Sequence, residues 1–287
     1  MDAINETDGR DGPKANITNL YNRVAPLYGQ VGPDAFSYAG RQLVEYIALA
    51  DGAQVLDVGV GRGANLFPAS EKVGLRGQVI GIDLAEKMLQ ETKVEIDRLH
   101  ISNATLLLMD AEQLSFPMSS FDTVLCGIAI FLFPHLEQAL SEFFRVLRTG
   151  GKLGITLARN PDALSQWYGE HLTEYFNLYH FPLNAGGTYL DYHAELPVYL
   201  ARSGFVNVQI LQNQTTVAYS DAQQWWDARW THGTRYSLEH MSPEVLAQFK
   251  TEVFARLAEA QQTDGIPEAW NFQYIFGTKP AGNSKAT

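Results

Sequence analysis

Residues 55–63 read Val-Leu-Asp57-Val-Gly59-Val-Gly61-Arg-Gly63, an apolar run that breaks into three alternate glycines. Glycine reaches backbone conformations closed to other residues and lets the main chain approach a ligand with no Cβ in the way. An apolar strand, a glycine turn and a following helix open a βαβ unit. At the carboxyl ends of parallel strands such turns hold nucleotide-type cofactors. The chain is expected to be α/β, organised around this turn.

The remaining pattern agrees. β-branched runs at 54–58, 78–82, 105–109, 121–126 and 152–158 alternate with helical patterns at 64–73, 84–100 and 134–147. Beyond Arg159 come a helix at 194–203, a strand at 206–219, a helical stretch over 221–263 and a strand at 271–278. The spacing predicts a Rossmann-like, seven-stranded, mostly parallel sheet flanked by helices. Residues 17–280 form one domain with helical insertions at about 160–193 and 221–266, between a flexible leader (1–16) and a flexible tail (281–287).

Composition excludes several function classes. The net charge is −11, from 21 Lys and Arg against 32 Asp and Glu, which argues against nucleic acid or an anionic membrane as main partner. Cys126 is the single cysteine, so an intramolecular disulfide and a cysteine zinc cluster are ruled out. No His/Asp/Glu group has metal-ligand spacing, and no metal is expected. The longest apolar run, 124–134, falls short of the ~20 residues that span a bilayer. With no signal peptide visible at the start, a soluble, cytoplasmic protein is expected.

Two cofactors compete for the turn. Gly59-Val-Gly61-Arg-Gly63-Ala64 also satisfies the dinucleotide fingerprint, which alone is a weak signal. Asp83, ending the second strand, suits either reading because it can accept both ribose hydroxyls. Asp57 discriminates between them. A carboxylate two residues before the first glycine would repel a pyrophosphate by about a few kcal/mol, whereas a cationic cofactor would be attracted. S-adenosylmethionine carries an ammonium and a sulfonium and no phosphate.

With these motifs the sequence resembles the class I S-adenosylmethionine-dependent methyltransferases, in the small-molecule branch that includes the ubiquinone/menaquinone-biosynthesis-type enzymes. YNRVAPLYG (21–29), VLDVGVGRG (55–63), GIDLAEKML (81–89), MDAEQLSFPMSSFDTV (109–124) and EFFRVLRTGG (142–151) carry the resemblance over roughly 17–160. Thr149 stands where that family usually has Lys or Pro. The resemblance implies that Asp57, Gly59, Gly61 and Gly63 face the methionine moiety and that Asp83 holds the ribose. Leu84 and Met88 flank the adenine, and Asp110 accepts from its amino group beside Ala111 and Glu112. Cys126 and Gly127 line the methionine end, and Tyr21 and Tyr28 close over the cofactor. Both insertions are expected to form a lid on the substrate side.

In-line methyl transfer asks a protein mainly for alignment and exclusion of water, and for a base only if the nucleophile must lose a proton. His232 and His135 are the catalytic candidates. Trp225, Trp226, Arg229, Trp230 and Tyr236 are the candidate substrate-binding residues, Arg229 as a partner for a substrate carboxylate. An aromatic lid points to a small, largely hydrophobic acceptor. O- or N-methylation in secondary metabolism is expected first and quinone-type C-methylation second. A NAD-dependent oxidoreductase is disfavoured by Asp57 and Asp110, and a silent cofactor-binding module by the intact glycine motif. The oligomeric state is not legible.

Overall fold

The computed structural model describes residues 12–182, 185 and 191–281. Most of the expected leader (residues 1–11), residues 183–184 and 186–190 of the first insertion, and most of the expected tail (282–287) lie outside the described residues. Ordered structure nevertheless begins earlier than residue 17. Helix α1 spans Pro13–Val24, with Pro13 at its first position, where the fixed φ of proline suits a helix start. Helix α2, Ala35–Ile47, follows; the Asp34 side chain caps it by accepting from the Ser37 N–H.

Seven strands form one sheet: β1 Gln54–Val58, β2 Gln78–Asp83, β3 Ala104–Leu108, β4 Phe121–Gly127, β5 Leu147–Arg159, β6 Val206–Tyr219 and β7 Ile266–Thr278. Their order is β3-β2-β1-β4-β5-β7-β6. The first five pair in parallel, and β7 runs antiparallel between β5 and β6. Strand order reverses at β1 and β4, which opens a crevice at their carboxyl ends. Helices α3 (Leu66–Val73), α4 (Glu86–Arg98) and α5 (Leu136–Val146) provide the crossovers. One apolar core lies under α5 and α7 (Tyr192–Arg202), and another under α2, α3 and α4.

Three boundaries differ from expectation. Pro134 precedes α5 rather than starting it, since His135 is the N-cap residue and its N–H donates to Glu112. Strand β5 begins at Leu147, because Gly150 at φ 79° bulges the chain without leaving the sheet. Strand β7 begins at Ile266, five residues early, and pairs with Tyr219 at the far end of β6.

The first insertion contributes α6, Ala163–Tyr179. The second divides into α8 (Ala222–Arg229), α9 (Arg235–Glu239) and α10 (Pro243–Ala260). These pack through Tyr168, Tyr175, Trp225, Trp226 and Phe249 into a third apolar cluster above the sheet. Among the described residues no helix is long and apolar enough to cross a membrane.

Candidate functional site

A cleft opens at the switch point, where small-molecule sites are commonly built in open α/β sheets. Its wall carries Gly59, Gly61, Asp83, Leu84, Met88, Asp110, Ala111 and Gly127, with Tyr21 and Tyr28 from the N-terminal segment. The expected positions therefore converge from the ends of β1, β2, β3 and β4. The space continues past Gly59, Gly61, Gly127 and Ile128 into a groove beside Asn65 and Thr156.

The glycine turn is shaped by two requirements. Gly59 has φ 67°, and a Cβ there would stand 2.7 Å from that of Ala129. Gly61 has φ 50°, and a Cβ there would meet nothing closer than the Gly59 carbonyl oxygen at 3.9 Å, so its bare face is left to a ligand. The Gly61 N–H donates to Asp83 Oδ2 at 2.9 Å, and the Ala85 N–H to Asp83 Oδ1 at 2.8 Å. A carboxylate offers about four lone-pair sites, so Asp83 keeps capacity for two ribose hydroxyls. Burial pushes the Asp83 pKa upward, against the pull of these N–H groups.

Several expected positions are off the cleft wall. Asp57 is fully buried behind the turn, where the Asn65 amide donates to Oδ1 at 2.9 Å and Oδ2 has no partner. Burial pushes its pKa up to about 7, opposed by the Asn65 hydrogen bond. Gly63 faces α3 instead: at φ 84° it leaves room for the Phe67 ring, which an added Cβ would meet at 2.5 Å. Cys126 points into the core beside β5, and burial raises its thiol pKa far above the ordinary value. Glu112 is a structural node. It accepts from the His135 N–H and from Lys14 Nζ at 2.6 Å, and lies 2.9 Å from His135 Nδ1.

Lys14 and Ile128 are among the wall residues that were not anticipated. Lys14 reaches from α1 to Asp110 Oδ2 at 2.6 Å, bridging it to Glu112. Lys14, Ile17, Thr18 and Tyr21 all line the cleft and share one face of α1. That stripe is visible in the sequence once the helix is started at Pro13. Ile128 has φ 52°, an outlier for a β-branched residue, and its N–H donates to the Thr156 carbonyl at 2.9 Å. No sequence signal marks it.

The catalytic and substrate candidates do not form one cluster. The His135 side chain is 68% exposed at the cleft rim. His232 packs edge-on to Phe36, and burial plus the nearby Arg229 charge push its pKa down to about 3. That value opposes its role as a base near neutral pH. Arg229 is not available to a substrate carboxylate, because it is buried and paired with Glu268 at 2.7 Å. Trp226 and Trp230 turn into the lid, where Trp226 meets Phe249 and Phe254. Tyr236 packs beside Tyr21 and Tyr28 on the α1–α4 cluster. Trp225, Arg229 and His232 share a separate cavity.

A family model described as a methyltransferase domain matches residues 55–151. Nocamycin O-methyltransferase of Saccharothrix syringae is 28% identical over 285 residues, spanning 92% of this chain and 99% of its own. Aklanonic acid methyltransferase DauC of Streptomyces sp. (strain C5) is 38% identical over 143 residues, which are 50% of this chain and 65% of that enzyme. The match to DauC thus covers just under two thirds of its length. Among solved structures, the YcgJ protein of Bacillus subtilis superposes with a TM-score of 0.59 at 19% identity, covering 85% of this chain and 100% of that one. That likeness is one of fold.

Proposed function

We propose that this chain, a class I S-adenosylmethionine-dependent methyltransferase, methylates a hydroxyl oxygen of a small aromatic secondary metabolite. S-adenosyl-L-methionine is its cofactor and supplies an electrophilic methyl group on a cationic sulfonium. The observation that carries the site assignment is the pair of carboxyl groups, Asp83 and Asp110, that the ends of β2 and β3 bring to one cleft wall. Asp57 adds an orphaned, buried carboxylate oxygen behind the turn, and Gly61 presents a bare backbone face. A cation suits this arrangement and a pyrophosphate does not, so a dinucleotide is not favoured.

Each residue's task follows from its place. Asp83 holds the ribose while fixing Gly61. Leu84 and Met88 pack the adenine, and Asp110 accepts its amino group beside Lys14. Tyr21 and Tyr28 roof the cleft and keep water out. The Asp57 charge acts from one layer down and favours the ammonium end near Gly59. With His232 held neutral, the acceptor hydroxyl gives its proton to water, which suits an acidic phenol or enol. Residues 17–280 are read as one catalytic domain whose two insertions form the lid.

The relatives' names support oxygen as acceptor for nocamycin O-methyltransferase and a small metabolite for both enzymes. Incubation with tritium-labelled cofactor and a panel of phenols, aromatic amines and quinols tests the reading. Label is expected in methyl ethers. Label confined to carbon- or nitrogen-methylated products contradicts it.

A further inference from the structure

Strand β6 ends the sheet on one side. It pairs with β7, and among the described residues no strand pairs with its outer side. Alternate residues of an antiparallel strand turn their N–H and C=O groups away from the paired neighbour, so a free edge is a template for another strand. The opposite edge is protected by its shortness, since β3 has only five residues. Strand β6 has 14. Its register shift lies between Val206 and Gln209, and Gln209–Tyr219 then pairs with β7 without a break. That regular stretch is about 37 Å long at ~3.4 Å per residue.

Proteins usually blunt such an edge with charges, prolines or bulges. Residues 206–219 read VNVQILQNQTTVAY, with no charged residue and no proline, in a chain of net charge −11. Apolar surface flanks the edge on both faces. Ile210 lies opposite Ile275 on the α5 and α7 side and is 45% exposed. Leu211 lies opposite Tyr274 on the α2 side and is 43% exposed. Val198 is exposed on α7, which packs on β6. Tyr46 is exposed on α2, and its hydroxyl accepts from the Asn213 amide at 3.2 Å.

Charge and symmetry decide what covers this edge. Two chains of net charge −11 repel one another, and an uncharged strand lets them meet without acids face to face. Antiparallel pairing about a twofold axis perpendicular to the sheet lays β6 on β6 and keeps each face continuous, α2 beside α2 and α7 beside α7. Opposed residues then come from one set of Ile, Leu, Val, Thr, Gln and Asn, whose cross-strand pairs are apolar or hydrogen-bonded. A strip about 37 Å long and roughly 20 Å across, the sheet with its flanking helices, gives about 700 Å² per copy, near the ~800 Å² of a stable interface.

We propose that β6 pairs antiparallel with β6 of a second copy of this chain, so that the protein is a twofold dimer with one continuous sheet. The cofactor clefts stay open, because β5 and β7 separate β6 from the strands whose ends form them.

Light scattering on the full chain after size exclusion tests this. At about 50 μM the wild type should show the mass of two chains. Gln212 and Gln214 are exposed near the middle of the regular stretch. Gln212→Glu/Gln214→Glu sets carboxylates against their own copies across the axis, and Gln212→Lys/Gln214→Lys does the same with ammonium groups. Each double variant is expected to raise the dimer Kd roughly a hundredfold or more and to show the mass of one chain, with S-adenosylhomocysteine affinity unchanged. Mixed in equal amounts, the two should return to the two-chain mass, because unlike charges then face each other. A strand merely damaged by substitution would not recover. A one-chain mass for the wild type, alone or bound only to a foreign protein, overturns the proposal. So does a two-chain mass in both variants, or a mixture that stays at one chain. All three leave the methyltransferase reading standing.

Discussion

In the proposed reading, Asp57 is the buried group that ties the glycine turn to the cofactor. Burial holds its pKa at about 7, so near neutrality the carboxyl is partly protonated. An unfolded Asp ionises at about 3.9, so at this site the empty protein loses stability as pH rises from about 4 to about 7. A bound ammonium favours the carboxylate and lowers that pKa. Cofactor affinity should therefore rise with pH through about 7, by roughly five- to tenfold between about pH 6 and pH 8. Asp57→Asn should flatten the dependence, as calorimetry across that range would show; an unchanged slope would assign it to another group. At this scale the sequence marked which strand ends and glycines reach the cleft better than which side chains stand behind it. Strand ends and glycines are local signals, so Asp83, Asp110, Gly59 and Gly61 were legible. Whether a side chain stands on the wall or one layer behind it depends on packing that a local pattern does not give. Asn65 and Phe67 decided this for Asp57 and Gly63, and Lys14 with His135 decided it for Glu112. The partner that neutralises Arg229 lies 39 residues away, beyond any periodicity.

Strand β7 and helix α8 are joined by the Arg229–Glu268 pair, both members fully or nearly fully buried. The early start of β7 was hidden in the sequence, since a glutamate beside Pro267 does not read as strand. Removing one partner strands the other charge, and Arg229→Met is expected to cost about 3–5 kcal/mol in chemical unfolding. The double variant Arg229→Met/Glu268→Met should recover most of that loss. No recovery would show that Arg229 acts mainly through its packing on Trp225 and Tyr219. Helix α1 is the opposite case. Its cleft-facing stripe obeys simple helical spacing, yet its polar surroundings near the N-terminus resemble a mobile segment. The second insertion was legible as helical material, with Ser242 and Pro243 marking the start of α10, but the break at Trp230–Thr234 that separates α8 from α9 was not read, although it carries Gly233.

Across the whole molecule, alternation of strands and helices was enough to give a seven-stranded sheet, and the parallel pairing of β1 to β5 follows from the crossover helices. The antiparallel insertion of β7 between β5 and β6 was not readable, since it is fixed by long-range pairing over 13 residues of β7. The sheet order brings the ends of β1, β2, β3 and β4 to one cleft, with α1 forming part of its wall. The proposed methyl transfer depends first on that cleft accepting S-adenosylmethionine. Calorimetric titration of the wild-type protein and of Asp83→Asn with S-adenosylmethionine, run beside NAD, is the direct test. The wild type should bind S-adenosylmethionine and not NAD, and Asp83→Asn should lose about 1.5–3 kcal/mol, or roughly 10- to 150-fold in affinity. Binding of NAD alone, or an Asp83→Asn affinity equal to wild type, would contradict the account.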